Sequence, residues 1–148
     1  MYLNILWVLT DIGFLPAVSH DTPAKHKNSA RLRTDYINLD LCKWGRESYE
    51  PIPRTTESDQ YLIPMDHPFA SKTPLFVNVG TVELNYDEVK VFAERMMAVQ
   101  GNDVCYLETK DAPHDIILAG IFTGFVRQAE VAAKRAGEHF GLSRNEGL

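Results

Sequence analysis

The chain has 148 residues, enough for one domain with a real core, and its 15 Lys and Arg are outnumbered by 20 Asp and Glu for a net charge of −5. That balance argues against a nucleic-acid-binding surface, and 45% hydrophobic with 24% charged residues argues against wholesale disorder. Cys42 and Cys105 have no CxxC spacing, which excludes a cysteine metal cluster and a disulfide framework; two reduced, buried thiols are expected, with one disulfide as the alternative.

Met1–Ser19 is apolar and ends in Ala17-Val18-Ser19, which has the outline of a signal-peptidase site. No Lys or Arg precedes the apolar run and Asp11 interrupts it, so a core element, or a start codon inside a longer reading frame, is favoured over a leader, and the cytoplasm over secretion. The run is also too short and broken to span a bilayer, so no membrane span is expected. Tyr2–Thr10 is its candidate strand. His20–Arg33 is polar and predicts a loop. Tyr36–Tyr49 predicts a short helix with Ile37, Leu41 and Trp44 on one face. Pro51, Pro53 and Arg54–Gln60 predict a polar connection. Residues 1–35, 36–66 and 67–148 thus form three stretches, of which the last is best patterned.

From Pro74 the pattern sharpens. Leu75–Val79 is a short apolar run ending at Gly80, a candidate buried strand. Asn85 and Glu88 have capping-box spacing, Asp87 suits a first helical turn, and Val89, Phe92, Ala93, Met96 and Met97 form an apolar stripe. Gly101-Asn102 is the expected stop. Asp103–Glu108 predicts a second strand and Thr109–Asp115 a loop. Ile116–Phe140 predicts one long helix carrying Phe122, Phe125, Val126, Ala129, Ala133, Ala136 and Phe140, weakened by Gly120 and Gly124.

Strand, helix, strand, helix in this order predicts an α/β fold with parallel strands and a right-handed crossover, and chemistry at the carboxyl ends of the strands. Glu83 follows the first strand in Gly80-Thr81-Val82-Glu83, and His114 follows the second in Ala112-Pro113-His114-Asp115. Neighbouring strands lie about 4.8 Å apart, so loops leaving one edge can bring the two together. A carboxylate that accepts from imidazole Nδ1–H fixes the tautomer and leaves Nε2 as a base, which is two-thirds of a hydrolase triad. Asp87 is the rival acid, with a helix-opening role as its alternative.

PLFVNVGTVELNYDEVKVFAERM with the DAPHDI segment resembles the C-terminal part of the hormone-sensitive-lipase-like esterases, the alpha/beta hydrolase fold-3 family, and HPFASK is similar to the segment leading into that strand. The resemblance covers about His67–Phe125; Tyr36–Asp66 matches faintly and Met1–Asp35 not at all. It implies an incomplete alpha/beta-hydrolase sheet and carboxylic-ester hydrolysis on a small ester, with Glu83 as triad acid, where many relatives carry Asp, and His114 as triad histidine. Neither the family's Gly-x-Ser-x-Gly nucleophile turn nor its His-Gly-Gly-Gly oxyanion segment occurs in the chain. Ser19, Ser29, Ser48, Ser58 and Ser71 precede Glu83, and Ser48 in GRESY comes nearest without meeting the pattern. Without nucleophile and oxyanion donors the chain is expected to be inactive alone. The alternatives are a non-catalytic binding protein on a hydrolase-derived scaffold and an unrelated α/β domain.

No cofactor or metal is expected. Gly80 is a lone glycine, which makes neither a dinucleotide fingerprint nor a phosphate loop, and His20, His26, His67, His114 and His139 show no zinc-binding spacing. Asp111, His114 and Asp115 could hold a metal in principle. Met96-Met97 is read as core filler. A sheet this narrow needs a further strand beside Leu75–Val79, with Tyr2–Thr10 as candidate; an uncovered edge predicts dimerisation or aggregation.

Overall fold

Alternation of apolar strands with amphipathic helices produces a small parallel α/β arrangement in the computed structural model, which describes residues 8–9, 26–49 and 52–142. Strands β1 (Val8–Leu9), β2 (Leu75–Gly80) and β3 (Val104–Thr109) pair parallel in the order β1-β2-β3. Of the strand expected over Tyr2–Thr10, Val8-Leu9 lies beside Phe76-Val77; the remainder falls outside the described residues. The helices are α1 (Leu39–Tyr49), α2 (Thr56–Leu62), α3 (Tyr86–Met97), α4 (Ile116–Thr123) and α5 (Val126–His139), with a 3₁₀ turn at Ala30–Arg33. Among the described residues no helix is long and apolar enough to cross a membrane.

All six residues of β2 are buried, as a parallel strand covered on both faces requires. Leu75, Val77 and Val79 pack with Val89, Phe92, Ala93 and Met96 of α3. Phe76 points the other way and meets the ring of Phe140 edge-on, at 6.5 Å between centroids. Each such large side chain contributes about 1.5–3 kcal/mol relative to exposure. Asn78 interrupts the apolar run without leaving its amide wanting, since its Nδ2 donates to the Leu107 carbonyl at 3.0 Å and to Thr109 Oγ1 at 2.9 Å. The register pairs Gly80 with Thr109, so β2 and β3 end side by side.

Several expectations are corrected. The long helix over Ile116–Phe140 is two helices, because Gly124 at φ +82° closes α4 in the left-handed conformation. Gly120 permits the second helix to pack back, since a Cβ there would lie 2.8 Å from the Ala129 Cβ. Phe122, assigned to the apolar stripe, is 89% exposed, and Val126 and Met97 also face out. The polar connection at Arg54–Gln60 contains α2, opened by reciprocal hydrogen bonds between Thr55 and Ser58. Asn85 stands at the N-cap of α3 but makes no side-chain cap bond, and Glu88 is buried. Trp44 is 60% exposed, so the face it shares with Leu41 is not a core face, while Ile37 is buried just ahead of α1. Cys42 and Cys105 are thiols in the structure and half-buried rather than buried.

Candidate active site

Glu83 is placed by the turn that ends β2. Its backbone N–H donates to the Gly80 carbonyl at 3.1 Å, and its carboxylate Oε2 accepts the Gly80 N–H at 3.1 Å. The second oxygen, Oε1, faces Nδ1 of His114 at 3.4 Å. Both residues are 1% exposed. The separation is slightly long for a good N–H···O bond.

His114 is carried by a loop bent at both ends. Asp111 (φ +56°) and Asp115 (φ +44°) adopt the left-handed conformation that Asp tolerates better than most residues. The Asp111 N–H donates to Thr81 Oγ1 at 2.8 Å and the Val82 N–H to the Ala112 carbonyl at 3.2 Å, so this loop is sewn to the turn carrying Glu83. Asp115 caps α4 by accepting the Leu118 N–H at 3.4 Å. Burial pushes its carboxyl above the ordinary value, opposed by that N–H and by His114.

The backbone between the 3₁₀ turn and α1 crosses both loops. Thr34 Oγ1 donates to the Val82 carbonyl at 2.9 Å. Asp35 Oδ2 accepts the Leu84 N–H at 2.7 Å, and its Oδ1 accepts from Ile37 N at 3.3 Å and His114 N at 3.4 Å. The Tyr36 ring stands edge-on to the His114 imidazole, 5.6 Å between centroids at 84°. Further contacts lash the same segment to α3. His26 Nε2 lies 3.0 Å from Glu88 Oε1 with both side chains buried, and Arg31 pairs with Asp87 at 2.7 Å while stacking on Tyr86 at 4.8 Å. Next to it, Glu108 accepts the hydroxyls of Tyr86 and Tyr106, each at 3.0 Å. Burial works to raise the Glu108 carboxyl, yet those two donors and Lys90 hold it below its ordinary range.

The structure therefore brings Glu83 and His114 together. It turns the rival acid Asp87 away, half-exposed and paired with Arg31. Ser48 lies on α1, where its hydroxyl donates to the Trp44 carbonyl at 2.8 Å. Asp111, His114 and Asp115 share one loop, and among the described residues no three His, Cys, Asp or Glu side chains gather as a metal site. Asp35, Tyr36 and the His26–Glu88 pair were not anticipated from the sequence. Glu88 could have been, because a carboxylate four residues before Phe92 and eight before Met96 stands in line with the buried stripe. Comparison of the chain with protein-family models, with curated proteins and with solved structures finds no match.

Proposed function

We propose that the chain carries the acid and histidine of a serine-esterase triad of the hormone-sensitive-lipase-like kind, on the C-terminal part of an alpha/beta-hydrolase fold. The carrying observation is the buried pair itself: Glu83 and His114 follow adjacent parallel strands, acid before histidine, 3.4 Å apart. In this reading Glu83 Oε1 accepts the Nδ1–H of His114, which fixes the tautomer and stabilises the imidazolium. Nε2 then takes the proton of a serine hydroxyl as that serine attacks an ester carbonyl, and returns it to the leaving alcohol; on deacylation it does the same for water. Neither the Gly-x-Ser-x-Gly turn nor the His-Gly-Gly-Gly segment occurs in these residues, so the chain by itself is expected to hydrolyse no ester at an enzymatic rate.

The test is to map the 5′ end of the native transcript, read upstream of the Met1 codon, and assay the encoded product with a p-nitrophenyl ester. A frame that continues into Gly-x-Ser-x-Gly and a His-Gly-Gly-Gly segment, with hydrolysis abolished by His114→Ala, is the expected result. Unchanged hydrolysis in that variant overturns the assignment. A transcript that truly begins at Met1 assigns the chain to the second reading, a non-catalytic binding protein on the same scaffold, which the missing serine favours.

A further inference from the structure

We infer that Asp35 is the positioning residue of the Glu83–His114 pair, an inference that rests on the triad reading above. One carboxylate reaches both loops of the pair: Oδ2 accepts the N–H of Leu84, the residue after Glu83, at 2.7 Å, and Oδ1 accepts the N–H of His114 itself at 3.4 Å. The same Oδ1 takes the Ile37 N–H at 3.3 Å, an Asx turn that fixes the rotamer before either loop is engaged. Its neighbours act on the same two loops. Thr34 holds the carbonyl of Val82, the residue before Glu83, and Tyr36 sets its ring edge against the imidazole. Three consecutive side chains thus touch the residues flanking the acid and the ring of the histidine.

The chemistry favours this role over that of a general pin. Hydrogen bonds from backbone N–H to an ionised carboxylate are about twice as strong as neutral ones. An orienting acid works only if its oxygen stays within a few tenths of an ångström of its place beside Nδ1, so the second point of support decides whether the neutral imidazole carries its proton on Nδ1 or on Nε2. Among the described residues, Glu83 from the β2 turn lies beside the imidazole, Asp115 from the start of α4 interacts with it electrostatically, and Asp35 from the crossing segment accepts the His114 backbone N–H. Of these, Asp35 alone contacts both loops through their backbone.

The experiment reads the histidine directly. Nitrogen-15 spectra of the full chain under mildly alkaline conditions, with His114 assigned by His114→Gln, report which ring nitrogen bears the proton. The wild type is expected to show His114 as the Nδ1–H tautomer with a slowly exchanging ring proton. Glu83→Gln should lose that state. Asp35→Ala should lose the slow exchange and give a mixture of tautomers, while Asp35→Asn, which keeps one acceptor oxygen for the Leu84 N–H, should retain part of it. If Asp35→Ala fails to fold, Asp35→Asn against wild type carries the comparison. A pure Nδ1–H tautomer in wild type that persists in both Asp35 variants overturns the positioning role and leaves the triad reading standing. A wild-type His114 that is protonated on Nε2 overturns the triad reading, and the positioning role with it.

Discussion

Replacing Gly80 by Ala tests whether close approach of the two loops assembles the site. An added Cβ would lie 2.0 Å from the Ala112 carbonyl oxygen and 2.5 Å from that of Pro113, whereas ordinary contact begins near 3.4 Å. Both obstacles are backbone, so no side-chain rotation relieves them, and the His114 loop must retreat by about 1.4 Å. Retreat breaks the 3.2 Å bond from the Val82 N–H to the same Ala112 carbonyl, about 1 kcal/mol, and adds overpacking of about 1–3 kcal/mol. We expect Gly80→Ala to cost about 2–4 kcal/mol in urea unfolding and to separate His114 Nδ1 from Glu83 Oε1, visible as loss of the slowly exchanging ring proton. Gly101→Ala is the control. A Cβ added to that glycine meets nothing within 4 Å but sits on a backbone at φ +91°, so the substitution should cost about 1 kcal/mol from backbone conformation alone and leave His114 untouched. If the two substitutions cost the same and the His114 signal survives both, the loops are not held by steric contact at Gly80.

The two links between the crossing segment and α3 should differ sharply. Glu88→Ala removes the buried partner of His26 and is expected to cost about 1–3 kcal/mol, whereas Asp87→Ala removes a half-exposed partner of Arg31 and should cost under about 1 kcal/mol; equal losses in chemical denaturation contradict the burial argument. Asp115→Asn keeps an acceptor for the Leu118 N–H and tolerates the left-handed backbone, but removes a carboxyl whose folded value is raised above 3.8, mainly by burial. A raised carboxyl contributes stability that is complete below 3.8 and is lost as pH rises through its folded value. The stability of Asp115→Asn relative to wild type should therefore improve as pH climbs from acid to neutral, and a difference that stays flat across that range would count against the assignment.

The parts of the fold that could be read in advance are those set by local pattern. The run Leu75–Val79 and the stripe Val89–Met96 bury their apolar side chains, β3 lays Val104 and Tyr106 half-buried against that core, and parallel register alone then brings the loops after the strands to one edge. What escaped was decided by single residues or by distant partners. A left-handed Gly124 divides a pattern that is helical on both sides, and a hydroxyl pair at Thr55 and Ser58 starts a helix where no apolar period exists. Glu88 keeps the spacing of a capping box, yet it is buried and pairs with the distant His26. Asp35 signals locally only an Asx turn to Ile37, and the partners that tie it to the pair stand 49 and 79 positions further along.

Those separations have a bearing on the order of assembly. Contacts of long sequence separation carry the entropy of closing a large loop and form late, while α3, β3 and the hairpin of α4 and α5 can organise from neighbours. During synthesis Thr34, Asp35 and Tyr36 leave the ribosome long before Leu84 and His114 exist to receive them. The crossing segment is therefore expected to dock later than the two loops it spans, since strand register already brings Glu83 and His114 to one edge over a shorter separation.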